Sequence, residues 1–344
     1  MTTTSTMEGT GWRSAVPESV AALAWAYAFD VLAAADLAGE ITLLDGRDGQ
    51  ILRRGASHGG GAFALAWQPR GQILASGGAD GRVGLHDAAE MEPSFLDVGG
   101  WVHALSWSPD GRQLAVAAGR SLVLLDPSGT VVHRWDDQPS TVMDVVWSRD
   151  GSRVACTAYG GLRWYTAISA SPQPVRAFDS QGSLLLARVS PDGRWVASCN
   201  QDASVHVWRL WSGDDAEMAG YPEKVDTLAF DRTSRWMANG GTNEISLWDF
   251  SGRGPMGRAP RMLPGHDVQI SALAWQPTGD LLASAGRDGG MALWAPGPSA
   301  RHTEPCSRLH LGSRVTALVW SPDGTRVVAG TVDGAVVAVR SVTP

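Results

Sequence analysis

The sequence predicts an all-β fold, a closed ring of radially arranged antiparallel blades, and three observations predict it. A short apolar run ending in an aromatic or apolar residue, usually Trp, recurs eight times. The copies stand 40–45 residues apart, the period of four-stranded propeller blades. Between them, apolar runs alternate with tight turns rich in Gly and Asp, as short strands joined by hairpins require.

The inner-strand phrase reads VAALAW to Trp25, then FALAW to Trp67, VHALSW to Trp107 and VMDVVW to Trp147. It continues through Val189, Phe230, Trp275 and Trp320. Ser-Pro-Asp-Gly follows at 108–111, 190–193 and 321–324. Proline presets φ, aspartate bonds its own backbone and glycine takes the left-handed position, so a hairpin is expected there. The next runs, ILASGG at 73–78, VASCN at 196–200 and LLASAG at 281–286, read as second strands. After a Gly/Asp turn come the third strands, VHVW at 205–208, ISLWDF at 245–250 and MALW at 291–294. More polar runs such as QILRR at 50–54 and VVHRW at 131–135 fit an exposed fourth strand. Eight units give an expected eight blades, with seven blades and one irregular unit as the alternative.

The last unit ends near Arg340, too close to Pro344 for a fourth strand of its own. Residues 10–16, TGWRSAV, precede the first inner strand without a partner, so they are expected to pair with the last unit and shut the ring. Residues 1–9 offer no apolar face and are expected to be disordered, leaving 10–344 as one propeller domain.

These repeats resemble the WD-repeat propeller family across roughly residues 10–342. The resemblance implies a structural His-Ser-Asp-Trp tetrad, carried over position by position. Unit seven has the whole set, His266, Ser284, Asp288 and Trp294. Unit two keeps His58, Ser76 and Asp80, with His86 in the Trp slot, and unit five keeps Ser198, Asp202 and Trp208, with Ser180 in the His slot. The other five units are degenerate. The resemblance also implies that loops entering the inner strand, and those joining strands two and three, open on one narrow face. There Trp101, His103, Asp144, Arg188, Gln201, Asp226, Arg287 and Arg314 are candidate partner-binding residues.

Composition restricts the function classes. The net charge is −7 with a single lysine, Lys224, and no basic run, so a counterion-releasing grip on nucleic acid is not expected. The arginine bias, with abundant Ala and Gly, fits a GC-rich bacterial genome. Three scattered cysteines, Cys156, Cys199 and Cys306, suit a reducing compartment. Neither a signal peptide nor an 18-residue apolar stretch is present, so a cytoplasmic protein without membrane contact is expected.

His266, Ser284 and Asp288 could be read as a catalytic triad, but Trp294 at tetrad spacing points to a buried structural chain. His302, Cys306 and His310 are ligand types that suit zinc, yet their segment reads as a loop running into an edge strand. Gly59–Gly61 lacks the Lys-Ser/Thr and helix of a phosphate cradle. Trp12, Trp101, Trp135 and Trp211 fall outside the repeat slots, making each either an interface anchor or outer packing. Connections at 211–222, 251–261 and 296–307 are longer than their counterparts and mark a second docking surface on the opposite face. The resulting expectation is a non-catalytic scaffold, monomeric by itself and without cofactor, that binds protein or peptide partners. The alternative is an enzyme or metal-binding protein using the central channel.

Overall fold

The computed structural model describes residues 10–55, 58–87, 93–169, 171, 173–297 and 303–341. The expected disorder at 1–9 lies outside them. Every regular element among the described residues is a β-strand. The order within each four-stranded sheet follows the chain, so each is a meander from the central axis to the rim. The one exception closes the ring.

Hydrogen bonding delimits seven sheets, six of four strands and one of six, which matches the seven-blade alternative. The expectation of eight separate blades is therefore corrected. The physical reason is a 14-residue strand, Arg176–Val189, that serves as the rim of unit four and runs on into the inner strand of unit five. The ladder never breaks between these two units, so they share a sheet. All eight repeats nevertheless keep an inner strand on the axis, each beside the next, and Val20–Trp25 meets both Ala62–Trp67 and Val315–Trp320. Within unit four, the strand Arg153–Thr166 doubles back at Gly160 and Gly161, both with positive φ, and Ala167 N–H reaches the Ser152 carbonyl at 3.0 Å.

The hairpin logic of the turns is visible at Ser108, whose hydroxyl donates to Asp110 at 2.6 Å while Gly111 sits at φ 72°. Packing between sheets builds the core, since each sheet has two apolar faces. Leu114, Leu122, Leu124 and Leu125, for example, are fully buried within unit three. Inner-strand tryptophans add a polar stitch. The Trp67, Trp107, Trp147, Trp275 and Trp320 indoles donate to carbonyls of the preceding inner strand at 2.9–3.2 Å.

The ring is shut as expected. Thr10–Ala15 pairs antiparallel with Ala335–Arg340 as the fourth strand of the last sheet. Trp12 seals the joint. It is 7% exposed, donates to the Gly46 carbonyl at 2.9 Å and packs with Trp25 and Val336. Gly49, at φ 74°, lies against the Trp12 ring where a Cβ would collide with it. Of the tryptophans outside the repeat slots, Trp12 and Trp135 are thus core, whereas Trp101 and Trp211 are exposed.

Removing residues 1–16 should lower the melting temperature sharply in a thermal melt, because it opens the last sheet. Trp12→Ala should cost about 3–5 kcal/mol in urea unfolding, the usual range for truncating a buried tryptophan. An unchanged melt in both would refute closure by this strand.

Candidate functional site

One irregularity recurs around the axis. In six units the inner strand shifts register at its second residue, a β-bulge that places Ala21, Phe63, His103, Leu185, Ser271 and Thr316 out of the ladder. Bulges re-aim a side chain and recur beside functional sites. On the same side, backbone bonds tie the turn after the second strand to the loop entering the inner strand. Examples are Leu37 N–H to Ser19 O, Gly119 to Trp101, Gln201 to Ser183, Arg287 to Gln269 and Val332 to Arg314. Trp101 and Arg314 therefore occupy equivalent positions in units three and eight, and Gln201 and Arg287 do so in units five and seven.

Three of the six bulge residues are small, Ala21, Ser271 and Thr316, whereas units two and three carry the rings of Phe63 and His103. The Phe63 and Trp101 rings lie 6.4 Å apart, and Trp101 and His103 6.3 Å apart. Gly61, at φ 111°, sits between the Phe63 ring and the Leu37 carbonyl, where a Cβ would crowd both. The result is an aromatic arc over units one to three, with Trp101 58% exposed and Leu37 52% exposed. Burial lowers the pKa of His103, which favours the neutral ring. The sequence reading named Trp101 and His103 but missed Phe63 and Leu37. Aligning the repeats column by column exposes Phe63, the one phenylalanine in a slot held elsewhere by Ala21, His103, Met143, Leu185, Asp226, Ser271 and Thr316.

The other side of this face is charged. Asp226 takes Lys224 and Arg287, each at 3.4 Å, and Gln269 at 3.5 Å. Arg314 is exposed and has no side-chain partner among the described residues. Asp144, expected as an exposed rim residue, requires correction. Asp144 is 7% exposed, because its carboxylate accepts Val145 N–H, Ala187 N–H and the Arg188 guanidinium at 2.7–3.0 Å. It is used to join the inner strands of units four and five. Arg188 is exposed, and it lines the central channel.

The opposite face carries Trp211, whose positive φ of 69° is unusual for a bulky residue. Arg153 lies over its ring at 4.4 Å, and Trp164 meets it edge-on. The proposed long connection at 211–222 is also corrected, because it contains the fourth strand of unit five, Asp215–Met218. The 251–261 segment folds onto its own unit through Arg258, which bonds the Asp249 carbonyl and Ser251. Part of 296–307, with His302, lies outside the described residues. Cys306 donates to the Leu293 carbonyl, and both ring nitrogens of His310 are held by backbone groups.

The tetrad residues can now be placed. In unit seven the Trp294 indole donates to Ser284 Oγ at 2.8 Å, Ser284 meets His266 Nε2 at 2.8 Å, and His266 Nδ1 faces Asp288 at 3.3 Å. Ser284 is fully buried with both sides of its hydroxyl engaged, so no substrate reaches it as a nucleophile. Unit two builds the same chain with His86. His86 Nε2 lies 2.7 Å from Ser76 Oγ, Ser76 lies 2.8 Å from His58 Nε2, and His58 Nδ1 lies 2.9 Å from Asp80. The network assigns a proton to His86 Nε2, which makes it a donor equivalent to an indole N–H. In unit five, Ser198 turns to Asn200 at 2.8 Å, Asp202 holds Ser204, and Ser180 meets His206 at 3.3 Å. His206 stacks on Trp208 at 4.1 Å, so no tetrad chain links Ser198 to Trp208.

Four stretches match the WD domain, G-beta repeat family model: residues 49–87, 173–209, 257–295 and 305–337. Coronin-7 of Homo sapiens is 26% identical over 39% of the chain, and THO complex subunit 3 of Arabidopsis thaliana is 27% identical over 34%. The matched stretches span only 15% and 36% of those proteins. The crystal structure of Sqt1 from Chaetomium thermophilum superposes with a TM-score of 0.82 at 22% identity, covering 97% of this chain and 99% of that one.

Burial pushes the His86 pKa down to about 4, with the His58 and Arg53 charges adding to the effect. The folded protein therefore resists a proton that the unfolded chain accepts below about pH 6.5. Stability should fall between about pH 6.5 and 4, by roughly 1.4 kcal/mol per pH unit for this one histidine. His86→Gln keeps a donor without titrating and should flatten urea-measured stability against pH by that amount; an unchanged slope would contradict it. Ser284→Ala should cost about 1–3 kcal/mol for each partner left unpaired.

Repeat sequence, ring topology and the four matched stretches agree, and the chain is an all-β propeller that carries WD repeats.

Proposed function

We propose that this propeller is a non-catalytic interaction platform that holds a protein partner through an apolar peptide segment on the face bearing the bulges. The observation that carries the reading is the arc of exposed Leu37 and Trp101 with half-buried Phe63 between them, fixed by a bulge and backbone bonds. Exposed aromatics on a rigid frame lose little entropy on binding, and Trp is favoured at the centre of interfaces. Arg314, unpaired among the described residues, and the Lys224, Asp226 and Arg287 group across the channel mouth supply charged positions that would fix the orientation of a bound segment. One relative carries the name of a complex subunit, which fits a role in assembly.

A displayed random-peptide library panned against the propeller tests this. Enriched peptides should carry apolar or aromatic residues. Trp101→Ala should weaken them about tenfold or more, with an unchanged melt. Selected peptides that bind wild type and Trp101→Ala equally would reject the arc as the docking site.

A further inference from the structure

The central channel contains a cavity of about 460 Å³ between units one, five, six, seven and eight. Its wall sets Leu186, Leu228, Leu273 and Leu318 beside the polar Arg188, Asp226, Thr227 and Ser271. In most units the slot taken by Arg188 holds Ala, Ser or Val. Arg188 is 45% exposed there, and only its Nη1 is engaged, with Asp144 at 2.7 Å and the Ala187 carbonyl at 2.6 Å. Among the described residues, Nε and Nη2 have no hydrogen-bond partner. These two groups form the fork that receives both oxygens of a carboxylate.

Asp144 does not satisfy that fork. Its carboxylate is already shared with the Val145 and Ala187 amides, so it holds the guanidinium by one corner and fixes its orientation. Asp144 balances Arg188 one for one, and Asp226 meets both Lys224 and Arg287, so the one positive charge in excess sits at the channel mouth beside the cavity.

We propose that the channel cavity binds an apolar-tailed carboxylate, with its head on the Nε and Nη2 edge of Arg188 and its tail against the leucine wall. The head could be that of a free short-chain acid or the C-terminus of a chain threaded into the channel, and both share this chemistry. The site is separate from the aromatic arc.

Calorimetric titration with sodium hexanoate, hexan-1-ol and hexylammonium chloride tests the proposal. Hexanoate should bind at one site, and the alcohol and ammonium should bind at least about tenfold more weakly. Arg188→Gln should lose about tenfold or more in hexanoate affinity. If that variant does not fold, Arg188→Lys, which keeps the charge but not the fork, should show a loss in the same direction. Trp101→Ala should leave hexanoate binding unchanged, so failure here and failure of the peptide platform are separable. A leucine-terminated peptide with a free carboxylate, compared with its amide, identifies the source: a preference for the free end indicates a chain terminus, and binding of hexanoate alone indicates a small acid. Equal binding of hexanoate and hexanol, undiminished binding by both Arg188 variants, or no hexanoate binding at low-millimolar concentration would overturn the proposal.

Discussion

The seam between neighbouring units is the constraint on which the rest depends. A single four-stranded meander is apolar on both faces and has no stable existence in water, so each unit needs a neighbour on either side. Five seams use one device, an inner-strand indole donating to the preceding inner strand. Each indole buries a large apolar surface and satisfies its own polar atom in the same contact. The device fixes the height of each unit relative to the next, which explains why the period can drift from 40 to 45 residues while the inner strands stay aligned.

The remaining seams show what replaces an indole. Between units eight and one, Arg326 reaches across to Asp30 and lies over the Trp25 ring, while the N-terminal strand completes the sheet behind it. Between units four and five, where Val189 stands in the Trp slot, a continuous strand and the Asp144 carboxylate do the joining. Between five and six, where Phe230 stands in that slot, Trp195 and Phe230 both meet Phe250 edge-on, and Asp192 N–H donates to Ser234. Loss of the consensus aromatic did not leave a gap in the ring; different chemistry fills each one.

Much of this was legible in the sequence because it is local. The repeat phrase, the Ser-Pro-Asp-Gly hairpins and an unpartnered TGWRSAV segment all follow from short-range pattern, and the strand order follows from them. Sheet boundaries were not legible. Whether Arg176–Val189 breaks between rim and axis depends on a ladder crossing two units, and no residue in RAFDSQGSLLLARV announces its continuity. The site was half legible for the same reason. Trp101 betrays itself as an aromatic outside a slot, but Phe63 sits inside one, and only the bulge turns it toward the face. Asp144 and Arg188 each read as a polar residue near a loop. Their pairing across 44 residues is a property of the ring.

The departures from the repeat are also informative about function. A ring of eight identical units would present the same small residues at every bulge and an uncharged aliphatic channel. Such a surface would have little to distinguish one partner from another. Here units two and three replace small bulge residues with Phe63 and His103, while units four to seven bring Asp144, Arg188, Asp226 and Arg287 to the channel and its mouth. The substitutions fall on the axis and one face, whereas the faces between sheets keep their apolar character. Local rules broken in one region while the packing rules hold are the mark of a site fitted onto a scaffold. The separation is also economical in mechanical terms: the seams hold the frame rigid, so side chains projecting from bulges and channel wall can vary without disturbing the units that carry them.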